Sequence, residues 1–399
     1  MNGYYTIHKR KEDGTRGEMV MGVSKITMTL YWGKLSKFQL DGVSVGTVPV
    51  TDGDSLIIYR NGKMFFEGLI NDVTTNCQNP LTDVRKWKAQ GVHINALFGY
   101  RYVVGEPLTL DFDSKEVDKI EDTSWNRLVH YIENAFGTGT VYERQLAPLT
   151  LPKKQAIGTV ALSSYRKQML DQVLSDISKE DDLYPQLHQD DKTGWWSVTI
   201  PEARNMTQEI YISPAFGNVT KWQREEKKPD FTVVWVLSGE YEAGQLYAYA
   251  EDKETTAIYG RIEKIVNRTD LTPSEEEELT TEAVEDKDKS HLTEEDVLLL
   301  LEQEAKVQLR DHGQKVTWSV EAAETRQMAF MDNWKLGDKV TCILDGERFE
   351  ASISQVKITY EKGFEKVVPT IGNVTSEVFG QIFDLIKGLD KKVTDLENS

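Results

Sequence analysis

The stretch Asn333–Gly372 reads NWKLGDKVTCILDGERFEASISQVKITYEKGFEKVVPTIG. Val340, Cys342 and Leu344 alternate with Thr341 and, less cleanly, Ile343. Asp345-Gly346 follows, a dipeptide suited to a two-residue hairpin turn, whose central positions need positive φ. Phe349, Ala351 and Ile353 then alternate again, so the spacing predicts a strand, a tight turn and a returning strand. The same design occurs earlier, at Gly53–Ile70, GDSLIIYRNGKMFFEGLI. Setting Gly53 on Gly337 brings Asp54 onto Asp338, Leu56 onto Val340 and Ile58 onto Cys342. At the same spacing Asn61-Gly62 falls on Asp345-Gly346, Phe65 on Phe349 and Leu69 on Ile353, without a gap. Turn, strand phase and leading Gly-Asp agree together, which implies two copies of a small β-domain in one chain.

With 399 residues the chain is long enough for several domains. Its formal charge of −18 argues against a nucleic-acid binder, which needs a basic face. It leaves open a surface past which nucleic acid slides without sticking. The opening MNGYYTIHKRKEDG is polar throughout, so no secretory signal is expected. Val297–Leu301, the longest purely aliphatic run, is far too short to span a bilayer. Cys77 and Cys342 make no disulfide framework, and Cys342 reads as a small core hydrophobe.

Glu18–Leu30 alternates in two phases, as a long strand bulged near Ser24-Lys25 would. Val43–Val50, the Gly53–Ile70 hairpin and a strand at Arg85–Val92 complete an all-β unit, residues 1–110. An α+β unit follows over 111–210. Its first helix carries Trp125, Leu128, Val129, Ile132 and Phe136, with Thr123 or Ser124 as N-cap and Gly137 as stop. A second helix is expected over Ser164–Ser178, and strands at Tyr184–His188 and Trp195–Ile200 flank an Asp190–Gly194 turn. Phe231–Leu237 reads as a near-continuous apolar strand, with a β pair continuing through Gly244–Ala250 and Ile258–Val266. Thr272–His291 is acidic and nearly free of large apolar groups, an exposed loop. Thr293 and Asp296 resemble a capping box opening a helix to about Arg310, and Lys315–Glu321 begins the second β-domain. In the tail, residues 373–399, Val378, Ile382, Leu385, Leu389, Val393 and Leu396 recur at steps of three and four. They form a narrow apolar stripe that meets copies of itself or docks on its own domain.

Catalytic signatures are sparse. The histidines His8, His93, His130, His188, His291 and His312 lack zinc-ligand spacing, and no Gly-x-Ser-x-Gly elbow or phosphate-cradling glycine loop occurs. Asp111, Asp113 and Asp118 are spaced faintly like a calcium loop but lack its glycine and closing glutamate. Cys77 and His93 make a nucleophile and base only without a supporting signature. We therefore expect no catalytic, cofactor-binding or metal residues, and no cofactor.

The order FTVVWVLSG (231–239), GQLYAYAED, YGRIEKIV (259–266), an acidic helix, WKLGDKVTCIL and the closing ITYEKGFEKVVPTIG resembles the tail-hub and tail-associated (baseplate hub) proteins of tailed bacteriophages. The resemblance covers about residues 20 to 372 and rests on order and texture. It implies an α+β, mainly β chain with two similar small β-barrel domains. The first would be 1–110 and the second 211–235 with 315–372, interrupted by an inserted α/β segment at 236–314. It implies a non-enzymatic structural hub: a homotrimeric ring in the tail tip of the virion, made in the host cytoplasm. Such a ring adapts a sixfold tail tube to a threefold tip and lets DNA pass during ejection. Distal tail protein, tail tube and tape-measure protein are the implied partners, with a tip or receptor-binding protein at the C-terminal helix. Many relatives continue into a wall hydrolase or fibre, and the short tail here puts lytic activity in doubt. Acidic residues facing a channel would repel phosphate, with Glu275, Glu276, Glu277, Glu278, Glu285 and Asp286 as candidates. The alternative is a bacterial cell-wall hydrolase or carbohydrate-binding tail protein that stacks sugars on Trp195, Trp196 or Trp222.

Overall fold

A computed structural model describes residues 4–110, 116–240, 244–273, 292–322 and 328–372. The chain is mainly β. It opens with β1 (Tyr5–Arg10), β2 (Arg16–Met19), β3 (Val23–Tyr31), β4 (Lys37–Val45), β5 (Ser55–Arg60), β6 (Lys63–Asn79) and β7 (Val84–His93). Next come β8 (Tyr102–Val103), β9 (Asp118–Thr123), helix α1 (Ser124–Phe136), β10 (Leu149–Thr150), β11 (Val160–Tyr165), β12 (Gln168–Met169), helix α2 (Leu170–Asp181), β13 (Gln186–Gln189) and β14 (Trp196–Thr199). β15 (Tyr211–Ile212) and β16 (Val219–Lys227) precede β17 (Val233–Ser238), β18 (Tyr247–Glu251), α3 (Lys253–Tyr259), β19 (Glu263–Arg268) and α4 (Glu294–His312). β20 (Lys315–Ala322), β21 (Lys339–Leu344), β22 (Glu347–Glu361) and β23 (Phe364–Ile371) close the series.

One sheet dominates, in the order β16-β20-β23-β22-β3-β4-β7-β6-β5-β1-β2, with β21 on β22 and β15 on β21. It contains one five-strand path twice, β3-β4-β7-β6-β5 and β16-β20-β23-β22-β21. The match reaches individual hydrogen bonds. In both hairpins the tight turn has positive φ at both central residues, Asn61 and Gly62 in one and Asp345 and Gly346 in the other. Gly53 and Gly337 both have positive φ and donate to Ile70 O and Ile353 O, each at 2.9 Å. Asp54 accepts from Thr51 N at 2.8 Å and Asp338 from Lys335 N at 2.7 Å. The hairpins differ by one bulged residue in β6, so Ile58 faces Phe66 where Cys342 faces Phe349. Later, β6 and β22 bulge at the same place, between Ile70 and Asp72 and between Ile353 and Gln355. β3 and β16 also share a bulge, after Val23 and after Val219. The bulged Ser24 donates to Asp41 O (3.0 Å) as Thr220 does to Glu321 O (2.9 Å). The two paths join where β22 pairs antiparallel with β3, Gln355 opposite Tyr31 and Glu361 opposite Lys25. A single core spans the join, with Ile26, Met28, Leu40 and Phe66 beside Trp334, Cys342, Val356 and Ile358.

Between them, α1 and α2 pack on β8–β14 around Trp125, Leu128, Ile132, Leu174 and Leu187. Thr123 caps α1 through its side chain and Gly137 ends it, as the spacing predicts. The insertion after β16 forms its own sheet, β18-β17-β19, against which α4 buries Val297, Leu301 and Ala305. Thr293 and Asp296 form the expected capping box of α4. The insertion closes on itself: Asp230 N donates to His312 O at 2.9 Å, and the two side chains meet at 3.0 Å.

Several expectations are corrected. The Glu18–Leu30 strand is broken at Gly22, whose φ is 78°, although the bulge at Ser24 is present. The second helix is Leu170–Asp181, not Ser164–Ser178. Ser163–Tyr165 belong to β11, and the positive φ of Lys167 breaks the chain before the helix. Ile258 and Tyr259 are helical in α3, which carries the chain across so that β19 runs parallel to β17. Among the described residues β17 pairs only with β18 and β19, so Val233–Trp235, expected in the second β-domain, stand in the sheet of the insertion. Among the described residues the large sheet is not closed, β16 and β2 being its ends, and neither five-strand path closes into a barrel by itself.

Candidate assembly interface

Buried ion pairs lock the two paths and the α+β portion into one body. Arg60 Nε and Nη2 donate to the Glu365 carboxylate at 2.8 and 2.9 Å, and the Tyr5 hydroxyl donates to the same group. Burial, then that carboxylate, pushes the Tyr5 hydroxyl well above its usual range. Arg10 joins buried Glu67 at 2.6 Å and Gln189 O at 2.7 Å. The tip of the β1–β2 hairpin lies against the Asp190–Gly194 turn, with Arg16 N donating to Asp191 O at 2.7 Å. A Cβ on Gly194 would stand 1.9 Å from Asp13 O, so this approach needs glycine.

Among the backbone edges left open in the described residues are two whose counterparts in the other path are joined. The first is the outer side of β16, whose residues 220–227 are all exposed. Trp222 and Arg224 on it lie against Trp318, at 5.5 and 5.6 Å, and Trp318 stacks on Phe349. The second is the side of β6 beyond residue 71. There β5 has ended, and only β7 pairs with β6, on the opposite side. The equivalent side of β22 is taken by β3. Unpaired strand edges are associating surfaces unless something covers them.

The other sequence candidates are scattered. Cys77 is exposed on β6 opposite Arg85, whereas His93 lies opposite Gly68 at the other end of the pair. Eight residues of β7 separate them, about 25 Å. Burial lowers the His93 ring to about 4. Cys342 is fully buried. His130 Nε2 is 2.6 Å from Asp118 Oδ1. No group of three or more His, Cys, Asp and Glu among the described residues is placed to hold a metal ion. Trp195, just before β14, is exposed, and Trp196 packs on the helical core. The tail stripe Val378, Ile382, Leu385, Leu389, Val393 and Leu396 lies outside the described residues. So do Glu275–Glu278, Glu285, Asp286, Asp111 and Asp113. The solvent face of the large sheet is of mixed sign, Lys25, Lys37, Lys88 and Lys357 standing among Asp41, Asp72 and Glu361. No helix among the described residues is long and apolar enough to cross a membrane. β16 and the β6 edge were illegible in sequence as a pair, because only the sheet order reveals that their counterparts are joined.

The family model described as Siphovirus ReqiPepy6 Gp37-like protein matches residues 24–373, which begins at β3 and includes both five-strand paths. No curated protein sequence matches. The fold is similar to the tail protein from Neisseria meningitidis MC58, with TM-score 0.55 and 14% identity over 93% of this chain and 97% of that one. It is similar to the 43 kDa tail protein of prophage MuSo2 from Shewanella oneidensis, with TM-score 0.53, 12% identity and coverage of 92% and 97%. Prophage tail protein gp18 from Listeria monocytogenes EGD-e gives TM-score 0.52 and 9% identity over 97% and 99%.

Proposed function

Because the chain belongs to the family of Siphovirus ReqiPepy6 Gp37-like proteins, and so to the tail and baseplate proteins of phages, we propose that it is the structural hub of a tail tip. Three copies form a ring in which the two five-strand paths alternate, giving six similar wall segments from three chains. The observation that carries this is the repeated path, with its shared bulges and its Gly-Asp turn. A closed ring needs head-to-tail contacts between unlike surfaces, which the open edges of β16 and β6 supply. Ring closure would complete the walls that a single chain leaves open. The ring fits a sixfold tube above and a threefold tip below, with distal tail and tape-measure proteins as upper neighbours. The C-terminal stripe would hold the three copies together or seat a tip protein. Acidic residues facing the channel would let DNA pass without binding.

Light scattering behind a sizing column tests this on the full chain and on a version ending at Gly372. A three-chain mass is expected for the full chain, and its loss on truncation would assign the coil to the tail. A one-chain mass for both, at the highest soluble concentration, would overturn the ring. A wall-binding role is supported by the exposed indoles of Trp195 and Trp222. Peptidoglycan binding that disappears in Trp195→Ala would favour it.

A further inference from the structure

We infer that residues 72–77 of β6 pair antiparallel with residues 222–227 of β16 from a neighbouring copy, Asp72 opposite Lys227 and Cys77 opposite Trp222. This rests on the ring reading for the presence of a neighbour, and adds to it an interface and a register.

The register comes from the join inside one chain. Asp72 is the counterpart of Gln355, because each follows the shared bulge in its strand. Lys221 is the counterpart of Lys25, because each follows the shared bulge against Asp41 or Glu321. Inside the chain Gln355 faces Tyr31 and Glu361 faces Lys25. Lys227 stands six residues after Lys221 as Tyr31 does after Lys25, so Asp72 falls opposite Lys227.

Side-chain chemistry on the solvent face agrees. In this register Asp72 meets Lys227, Thr74 meets Glu225 and Asn76 meets Gln223 on the solvent face. Cys77 meets Trp222 on the face that continues the core, where Tyr360 meets Ile26 inside the chain. A two-residue slip toward the start of β16 sets Asp72 against Glu225, and like charges directly opposite are destabilising. The opposite slip sets Asp72 against Pro229, which has no N–H to donate. A one-residue slip turns Trp222 to the solvent face.

Disulfide trapping tests the register on the full chain. Trp222→Cys is combined with native Cys77, and Asp72→Cys with Lys227→Cys in a Cys77→Ser background. The second pair leaves Trp222 on Trp318 undisturbed. The two pairs stand five residues apart, so they are of opposite hydrogen-bonding kind and one is the closer, non-hydrogen-bonded type. Glu225→Cys with native Cys77 is the out-of-register control. Cys342 stays silent, since burial pushes its thiol up to about 12. Oxidation should move the denatured mass from one chain to two and three chains in a register pair, reversed by reductant, with the control at one chain. A three-chain particle that cross-links only in the control, or in none of the three, overturns the register and leaves the ring standing. A one-chain particle with no cross-link overturns both.

Discussion

Val50 and Trp334 occupy the same place, one residue before the repeated turn, and each is 1% exposed. One copy fills that space with a small side chain. The other uses an indole whose Nε1 donates to Met328 O at 2.9 Å and whose ring lies 4.8 Å from Phe330. The same divergence runs through the strands. β3 carries Ile26 and Met28, both buried, because β22 covers its flank. At the equivalent positions β16 carries Trp222 and Arg224, exposed on an uncovered flank. One backbone plan thus tolerates two surfaces, and the side chains record whether the flank is covered within the chain.

The comparison breaks most sharply if the two strands exchange residues. Met28→Arg installs what β16 carries, but with no water for the charge. It should cost more than about 4 kcal/mol and leave little folded protein by circular dichroism. Arg224→Met should shift the urea midpoint by no more than about 0.5 kcal/mol equivalent. At the turn, Trp334→Ala should lose about 3–5 kcal/mol and Val50→Ala about 2 kcal/mol, read from the same urea titrations.

A smaller contrast separates the two capping carboxylates. Asp338 is 2% exposed and takes Arg204 Nε at 2.8 Å, besides holding its turn. Asp54 is partly exposed and pairs with Lys9 at 2.9 Å. Asp338→Ala should cost about 3 kcal/mol and Asp54→Ala about 1 kcal/mol. Equal losses would mean that the turn, not the ion pair, carries the energy.

Acid sharpens the comparison last. β16 and β20–β23 contain no histidine, whereas β7 ends in His93, held near 4 by burial. An unfolded histidine titrates near its ordinary value of about 6.5. Between these values the unfolded chain takes up a proton that the folded chain refuses, so stability falls as pH drops through that window. The loss should reach no more than about 3 kcal/mol. It should vanish in His93→Gln, and hydrogen exchange should show it in β4, β6 and β7 before β22 and β23.

The hairpins, the α1 caps, the α4 capping box and the buried Cys342 were legible because each depends on neighbours in sequence. β1 was not, since Tyr5 and Ile7 are only two apolar positions in a polar run. Only the end of β4, from Val43, is legible in sequence, though Phe38 and Leu40 carry its core face. The start of α2 is masked in sequence because its apolar spacing extends back into β11. The β3–β22 join was beyond reach, since its partners lie more than 300 residues apart and depend on two bulges for their register. The assembly edges share that difficulty, as an open edge is defined by what fails to pair.

Lys227 and Lys315 face each other at the end of the β16–β20 pair, so everything between them leaves and re-enters the sheet at one point. Deleting residues 228–314 would leave a gap of only about 5 Å, narrow enough for a two-residue turn. The wall of the molecule therefore does not care what hangs from this port. Exchange, enlargement or loss of the segment at this point would leave the pairing of the large sheet unchanged.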